Sequence, residues 1–368
     1  MSETHAPRTD LVATGAGKPG EPLPAMMKAL VLHGTKDLRL EQRPVPAPGP
    51  GEVLIEVGSV GVCGSDKHFF AEGRASSDVM TEPFVMGHEF GGRIATVGEG
   101  IDASRIGERV AVEPLVPCGE CRPCRRGEYN ICPDQLFHGV PGAEGALQEY
   151  VVVPAANAFL IPDSVSDDAA AMVETISVSL WAGQRGDITI GDRVLITGGG
   201  PIGLFALQVA RNRGAERVVL VEPQDSRREI AARFGAEAVP SLDAVEEEFD
   251  VLMECTGVQA VRHAGCAYVR SGGKAVFIGV GAQDASVPMP SVIEREVEIR
   301  GVMRYRFTWP TVIAGLEDGR FRADELVTRV LPLEEAHRAW TETAAGADVK
   351  TVIRVGSNPT RPHQRSPA

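Results

Sequence analysis

A glycine-rich hexapeptide between an apolar strand and a helix constrains the fold of this chain more than any other feature. Residues 198–203 read Gly-Gly-Gly-Pro-Ile-Gly and match the pattern G-x-G-x-x-G. The run Arg193–Thr197 before them is typical of a buried strand, and residues 202–213 have the pattern of a helix. Glycines at such a turn let backbone N–H groups approach a pyrophosphate at the helix N-terminus. The dinucleotide-binding residues predicted from this motif are Gly198, Gly200, Pro201, Ile202 and Gly203.

Strand and helix patterns keep alternating after residue 178, which predicts a parallel, doubly wound sheet. The sequence predicts strands at 218–221, 249–255 and 274–278 and helices at 226–234 and 259–270. Glu222, at the end of the second strand, is expected to accept hydrogen bonds from ribose hydroxyls and to favour NAD over NADP. Arg227 follows closely and is a further candidate for cofactor binding, so the preference between the two cofactors stays open.

Four cysteines lie within fifteen residues in the spacing C-x₂-C-x₂-C-x₇-C: Cys118, Cys121, Cys124 and Cys132. Four thiolates close a tetrahedral shell, which leaves no position for a substrate, so the pattern predicts a structural zinc ion. An iron–sulfur centre is the alternative interpretation, because thiolates also bind such clusters.

A second set of metal-binding side chains consists of Cys63, His88 and Glu89, with Glu174 as a further carboxylate. Thiol, imidazole and carboxylate together suit zinc, and three protein ligands leave the fourth position open, as in catalytic sites. Successive side chains of a regular strand point to opposite faces. His88 and Glu89 are therefore not expected to face the same ion from regular backbone, and either Glu89 or Glu174 could be the third ligand.

Composition limits the classes of function. A chain of 368 residues with 43% hydrophobic and 24% charged residues is expected to form two globular domains. The net charge of −13 opposes binding to nucleic acid or to anionic membranes. We find no apolar run long enough for a signal peptide or membrane span, so we expect a cytoplasmic protein with a flexible extension at 1–26 and a disordered tail at 359–368.

The order of these motifs resembles the zinc-containing medium-chain dehydrogenase/reductase superfamily from about Met27 to Val355. The resemblance implies an α/β plus β architecture, in which a GroES-like catalytic domain is interrupted by a Rossmann domain. The implied boundaries are 27–177 and 313–358 for the catalytic domain, with its zinc lobe at 118–132, and 178–312 for the Rossmann domain.

Within that superfamily, residues 295–305 and the following Thr308-Trp309-Pro310 are similar to the sorbitol and xylitol (polyol) dehydrogenase branch. The resemblance implies that Cys63, His88 and Glu89 bind the catalytic zinc, that Glu174 contacts the ion or its water, and that Arg304 and Tyr305 face the substrate. Thr175 replaces a proline of that branch, and Phe69 replaces a tyrosine that often lines the substrate pocket. The resemblance further implies two zinc ions per chain, NAD rather than NADP, and a homodimer or homotetramer.

The expected reaction is the oxidation of a secondary alcohol of a polyol or cyclitol, in which zinc acts as a Lewis acid and NAD accepts a hydride. We expect Ser65 to take up the proton of the alcohol and His68 to pass it outward. Asp66 is expected to orient a zinc-bound imidazole. The alternatives are a threonine or aldonic-acid dehydrogenase of the same fold and a catalytically inactive binding or structural protein.

Overall fold

A computed structural model of the protein describes residues 22–281, 286–342 and 348–356. The predicted tail at 359–368 and all but the last five residues of the predicted extension at 1–26 lie outside the described residues.

Strands dominate the first half of the chain. They are β1 Met26–Gly34, β2 Asp37–Pro44, β3 Glu52–Gly61, β4 Arg74–Ala75, β5 Asp78–Val79, β6 Phe84–Val85, β7 Glu89–Val97, β8 Arg109–Val112, β9 Leu115–Val116, β10 Leu136–Phe137, β11 Tyr150–Pro154 and β12 Ala158–Leu160. The helices from the start of the chain to the middle are α1 Gly64–Glu72, α2 Arg122–Arg125, α3 Asp167–Ala171 and α4 Val173–Arg185.

Strands and helices alternate in the second half, as the sequence pattern predicts. The strands are β13 Arg193–Thr197, β14 Arg217–Val221, β15 Glu237–Val239, β16 Phe249–Glu254, β17 Val269–Phe277, β18 Glu298–Gly301, β19 Val327–Pro332 and β20 Lys350–Arg354. The helices are α5 Pro201–Asn212, α6 Asp225–Arg233, α7 Gln259–Gly265, α8 Met289–Glu294, α9 Trp309–Glu317 and α10 Arg338–Thr341.

Six of these strands form a parallel sheet in the order β15-β14-β13-β16-β17-β18. Numbered along the chain, this order is 3-2-1-4-5-6, the arrangement of a doubly wound dinucleotide-binding sheet. The strands are rich in Val, Leu and Ile because helices cover both faces of such a sheet. Helices α4, α5 and α9 pack into one apolar core with it, through residues such as Ile176, Phe205 and Val312.

The other large sheet joins strands from the first half of the chain to the last two strands. Its order is β12-β8-β7-β3-β20-β19, and β11 also pairs with β3. Strands β19 and β20 come after the parallel sheet in sequence, yet β20 lies antiparallel to β3, with Val352 opposite Gly61. The chain therefore leaves this sheet, builds the parallel sheet and returns, as the interrupted architecture implies.

Two details differ from the sequence pattern or refine it. The helix predicted over 259–270 ends at Gly265, because the buried Val269 instead pairs with Phe249 of β16 and starts β17. The predicted domain boundaries at residues 177 and 312 fall inside α4 and α9, and they stay a prediction. Within the described residues, we find no helix with the length and apolarity that spanning a bilayer requires.

Candidate active site

The C-terminal end of β3 is where the chain brings together the first set of side chains predicted to bind a metal. β7 and β20 both run antiparallel to β3, so both begin beside the point where β3 ends. Glu89, the first residue of β7, lies opposite Gly61, and Cys63 follows Gly61 by two residues. Strand pairing thus places side chains from distant positions in the sequence around one point.

The thiol of Cys63, a ring nitrogen of His88 and a carboxylate oxygen of Glu89 lie within 4.8 Å of one another. His88 and Glu89 are 5% and 1% exposed. His88 precedes β7 and follows Gly87, whose φ of +95° is a left-handed conformation that favours glycine. A Cβ atom at Gly87 would lie 2.9 Å from Val60 Cγ1, so the close approach also requires glycine. This irregular backbone lets the two neighbouring side chains face one point.

Helix α1 begins directly after Cys63 and carries three residues predicted to assist the site. The carboxylate of Asp66 accepts a hydrogen bond from the backbone N–H of Cys63 at 3.0 Å and lies 3.6 Å from His88 Nδ1. The Oγ atom of Ser65 is buried and has no hydrogen-bond partner within the described residues. His68 lies on the exposed side of the helix, where its ring pairs with Glu72 at 3.2 Å.

Lys350, the first residue of β20, forms a buried ion pair with Glu89 that the sequence analysis missed. The lysine side chain is 1% exposed, and its Nζ atom also donates to the carbonyl of Val62 at 3.1 Å. A Cβ atom at Gly61 would collide with Glu89 Oε2 at 2.2 Å, so glycine leaves room for the pair. A single lysine in the mostly apolar run Val-Lys-Thr-Val-Ile at 349–353 was the available signal, because lysine is almost never fully buried without a partner.

Glu174 lies in the first turn of α4 and is 6% exposed, and the neighbouring Thr175 is 2% exposed. Within the described residues, Glu174 is not part of the compact group of Cys63, His88 and Glu89. Burial raises the pKa of Glu174 to about 7, against the attraction of His88. The structure thus gives the two candidate carboxylates different positions: Glu89 lies within the group of ligands and Glu174 lies nearby.

The electrostatics of this site fit a cation. Desolvation, with the charges of Glu89 and Asp66, raises the pKa of the Cys63 thiol well above its usual range. Lys350 and His88 outweigh the effect of burial and lower the pKa of Glu89. The site thus contains four acidic groups and two basic ones. The acidic groups are one thiol and three carboxyl groups, and the basic groups are one imidazole and one ammonium group. A divalent ion would offset the excess of negative charge. The donor atoms suit zinc, with a fourth position left open.

The residues predicted to face the substrate occupy different environments. Arg304 has a φ of +48°, donates from Nη1 to Gln135 Oε1 at 2.5 Å, and places its guanidinium 3.8 Å from the centroid of the Phe137 ring. Tyr305 is 0% exposed, and its hydroxyl has no hydrogen-bond partner among the described residues. Phe69 is a core residue that packs edge-on against Phe84, with ring centroids 5.4 Å apart. Their roles in substrate binding stay predictions.

The four cysteines form a second compact group, with all four sulfur atoms within 4.8 Å of one another. Three of the Sγ–Sγ separations are 3.5, 3.8 and 3.9 Å. A tetrahedron with zinc–sulfur bonds of about 2.3 Å has edges of about 3.8 Å. The spacing therefore fits one tetrahedral ion better than an iron–sulfur cluster, whose thiolates bind different iron atoms. Backbone N–H groups, led by that of Cys121, lower the pKa of Cys118 to about 7.

The glycine-rich turn has the local geometry that the sequence predicts. Gly198 has a φ of +96°, Gly200 is the N-cap of α5, and Pro201 begins the helix. A Cβ atom at Gly203 would lie 1.8 Å from the carbonyl oxygen of Gly198, so close packing of helix on turn requires glycine. Ile202, also predicted to bind the cofactor, lies in the first turn of α5. The turn leaves backbone N–H groups at the helix N-terminus, the geometry that binds phosphate.

Glu222 and Arg227 lie beyond the end of β14, and Glu222 contacts this turn. The Glu222 carboxylate accepts hydrogen bonds from the backbone N–H groups of Gly199 at 2.7 Å and Gln224 at 3.0 Å. Arg227 donates to the carbonyl of Asp348, near the start of β20, at 2.8 Å. The carboxylate thus lies against the turn, whereas the arginine links the parallel sheet to the returning segment of the chain.

Comparison with known proteins identifies the family. The family model described as alcohol dehydrogenase GroES-like domain matches residues 49–163, and the one described as zinc-binding dehydrogenase matches residues 201–318. Sorbitol dehydrogenase of Gallus gallus is 39% identical over 339 residues, which are 89% of this chain and 96% of the relative. The chain belongs to the zinc-containing medium-chain dehydrogenase/reductase superfamily, in its polyol dehydrogenase branch.

Solved structures of this superfamily have the same fold. A zinc-binding dehydrogenase from Sinorhizobium meliloti 1021, bound to NADP, has a TM-score of 0.84 and 29% identity, and the match covers 90% of this chain and 100% of that one. A short chain alcohol dehydrogenase from E. coli CFT073, complexed with NADH, has the same TM-score, identity and coverage. The predicted fold is confirmed, and so is the prediction of a zinc-dependent dehydrogenase that acts on secondary alcohols with a nicotinamide cofactor.

Proposed function

We propose that this enzyme oxidises a secondary hydroxyl group of a polyol or cyclitol to a ketone, with NAD as the hydride acceptor. The observation that carries the proposal is the buried group of Cys63, His88 and Glu89, whose donor atoms lie within 4.8 Å beside the carboxyl group of Glu174. Three ligands of this kind leave room for a substrate oxygen. We assign a second zinc ion to Cys118, Cys121, Cys124 and Cys132, whose closed shell has a structural role.

Each residue around the first group has a distinct task in this proposal. Cys63, His88 and Glu89 would hold a zinc ion, which would supply Lewis acidity, and bound NAD would accept the hydride. Asp66, 3.6 Å from His88 Nδ1, would orient the imidazole and leave its other ring nitrogen free to bind a metal. Ser65 Oγ, buried and without a described partner, takes up the proton of the alcohol.

His68 and Glu174 complete the proton-handling groups. The exposed ring of His68 passes the proton from Ser65 to solvent. Glu174, which lies outside the compact group, is assigned a place beside the open fourth position, where its carboxyl group would contact the substrate oxygen or a water. Glu89 is then the third protein ligand, and its pairing with Lys350 keeps it ionised and oriented.

A substrate with several hydroxyl groups suits the side chains beyond the zinc site. Arg304 supplies N–H donors, and the buried Tyr305 hydroxyl has an unused hydrogen-bonding capacity within the described residues. Phe69 contributes an apolar wall and no hydroxyl. The relatives named sorbitol dehydrogenase support a polyol as the substrate class.

The negative charge of Glu222 supports the choice of NAD over NADP. The Glu222 carboxylate, 4% exposed, lies at the predicted ribose position, where it accepts hydroxyl donors and repels a 2′-phosphate. Arg228, which could otherwise bind a phosphate, donates to the Glu222 carbonyl and pairs with Asp225.

We further propose a cytoplasmic homodimer or homotetramer. None of the seven cysteines, all of which the structure describes, forms a disulfide bond, as expected in a reducing compartment. The edge strand β18 carries the half-exposed Ile299 and can pair with a second chain.

The test is a steady-state assay with sorbitol, xylitol, myo-inositol, threonine and gluconate, each with NAD and NADP. We expect the highest kcat/KM with a polyol or cyclitol and NAD. Glu222→Ala should lower the ratio of kcat/KM for NAD over NADP about tenfold, the effect of losing hydrogen bonds to a charged group. The matched control is Glu229→Ala, which removes an exposed carboxylate of the same helix and should leave the ratio within about twofold.

Two results would contradict the proposal. A clear preference for threonine or gluconate would assign the enzyme to the alternative substrate classes. A zinc-loaded protein without dehydrogenase activity on any of the five compounds would exclude the polyol reaction.

A further inference from the structure

The segment 303–307 is held in an unusual backbone conformation. Arg304 and Phe307 have φ values of +48° and +55°, in the left-handed region that non-glycine residues rarely adopt. This conformation is strained for a residue with a Cβ atom, so surrounding contacts must fix it. The segment includes Arg304 and Tyr305, which the proposed function assigns to the substrate.

Two neighbouring residues of the cysteine loop, defined here as residues 118–132, hold the two ends of this segment. Asn130 donates from Nδ2 to the carbonyl of Met303 at 2.8 Å, and its side chain is buried. The hydroxyl oxygen of Tyr129 accepts a hydrogen bond from the backbone N–H of Phe307 at 2.8 Å. The two rings of Tyr129 and Phe307 also pack edge-to-face, with centroids 5.1 Å apart.

The Tyr129 hydroxyl is itself held in place by a second hydrogen bond, to Glu113. It donates to Glu113 Oε1 at 3.0 Å, so it uses both its donor and its acceptor capacity. Glu113 is 7% exposed and lines a cavity of about 500 Å³ together with Tyr129, Phe307 and Trp309. Tyr129 is half-buried, and a hydroxyl that both donates and accepts a hydrogen bond leaves the Phe307 backbone little freedom to move.

Arg304 lies between the two anchors, which are the hydrogen bonds at the backbones of residues 303 and 307. Its side chain contacts the segment that follows the cysteine loop. Its guanidinium contacts Gln135 and the Phe137 ring, and Phe137 lies 5.4 Å from the His88 ring between centroids. The anchors therefore lie on both sides of a residue that reaches toward the proposed zinc site.

We propose that Tyr129 and Asn130 are positioning residues for substrate recognition, which fix the strained segment so that Arg304 and Tyr305 face the polyol. This inference rests on the proposed role of Arg304 and Tyr305. It gives the cysteine loop a function in specificity in addition to its metal-dependent folding. Neither residue touches the substrate, and both act through the backbone of residues 303 and 307.

The experiment uses Tyr129→Phe and Asn130→Leu in the zinc-loaded full chain. Each variant should raise the KM for the preferred polyol about fivefold, the effect of one hydrogen bond, with kcat and the KM for NAD within about twofold. The KM for 2-butanol, which has no second hydroxyl for Arg304, should not change. Zinc content should stay equal to that of the wild type.

Matched controls remove the same groups elsewhere. Tyr268→Phe deletes a hydroxyl that donates to the Leu242 carbonyl at 2.8 Å in the parallel-sheet region. Asn212→Leu deletes an amide that donates to the Arg320 carbonyl at 2.9 Å. Neither control should change the polyol KM by more than about twofold, since both sites are remote from Arg304.

A double-mutant cycle with Arg304→Ala tests whether Tyr129→Phe raises the polyol KM through Arg304. If Tyr129 acts through Arg304 and Tyr305, Tyr129→Phe should have a smaller effect on polyol KM in the Arg304→Ala background than in the wild type. An equal effect in both backgrounds, or an equal rise of the 2-butanol KM, would overturn the inference. An unchanged polyol KM in Tyr129→Phe and Asn130→Leu, with a raised KM in Arg304→Ala, would also overturn it.

A crystal structure of Tyr129→Phe separates this inference from the proposed function. Displacement of the Arg304 guanidinium from the Phe137 ring supports positioning, and an unchanged Arg304 contradicts it. If Arg304→Ala leaves polyol KM unchanged, the proposed substrate role of Arg304 fails, whereas the crystal structure still decides whether Tyr129 positions the segment.

Discussion

Cys118, Cys121, Cys124 and Cys132 come from one loop of fifteen residues, whereas Cys63, His88 and Glu89 meet because two strands pair at one end of a sheet. In the cysteine loop, the neighbouring atoms are sulfurs and backbone N–H groups of the same loop. Around Cys63 they are buried ionisable side chains, including Lys350, which is 261 positions away from Glu89 in sequence. A metal site built locally depends on its ion to fold, and one built by strand pairing depends on the fold to bind its ion.

The largest effect we expect is the loss of catalytic activity when a residue of the group around Cys63 is replaced. His88→Ala should reduce kcat at least about 10³-fold, because the Lewis acid supplies several kcal/mol of transition-state stabilisation. Zinc content should fall by one ion per chain, while the unfolding midpoint changes little, because the surrounding sheet remains. Steady-state kinetics, elemental analysis and thermal unfolding measure these quantities.

Cys121→Ser is the matched control, since it also removes one ligand and one ion. It should lower the free energy of unfolding by several kcal/mol, because binding energy in a structural site is folding energy. If His88→Ala destabilised the protein as much as Cys121→Ser, the contrast between the two groups would be wrong.

The next effect tests the buried ion pair that only the group around Cys63 contains. In the zinc-free protein, Lys350→Met should lower the free energy of unfolding by about 3–5 kcal/mol, because it leaves the buried Glu89 carboxylate without its lysine partner. The control Lys28→Met breaks the exposed pair of Lys28 with Glu334, whose side chains are 40% and 51% exposed. It should cost less than about 1 kcal/mol in urea unfolding. Equal losses in the two variants would contradict a stabilising role for Lys350.

The smallest effect concerns Glu113, a buried carboxyl group beside the cysteine loop. Burial raises its pKa to about 7 from 4.5, against the hydrogen bond from Tyr129. The folded state then binds more protons than the unfolded state between these two values, so stability falls as the pH rises from 4.5 to 7. Above pH 7 the Glu113→Gln variant should be more stable than the wild type by roughly 3 kcal/mol, and below pH 4.5 the two should be equal.

Urea unfolding of both proteins across this pH range measures the effect, with exposed Glu120→Gln as the control. A pH-independent difference between wild type and Glu113→Gln would mean that Glu113 does not titrate in this window. It would also remove the contrast with Glu89, whose buried charge Lys350 neutralises.

Local spacing in the sequence was sufficient to predict the features that are built locally. The strand, glycine turn and helix at 193–212 and the four-cysteine loop depend on residues close together in sequence, and the structure contains them. Alternating strand and helix patterns likewise predicted the parallel sheet, because each element buries its own apolar face. The order of these motifs carried the family resemblance, which the comparisons confirm.

Tertiary structure decided the features that depend on distant residues. Strand pairing at the end of β3, with the left-handed Gly87, brings His88 and Glu89 to one point, which regular backbone does not allow. Pairing of β20 with β3 supplies Lys350, and the contact of Tyr129 with Phe307 spans 178 positions. These contacts arise only when separate elements pack together, so their distances and burial are set by the folded chain. Residue types and local spacing follow from the sequence alone.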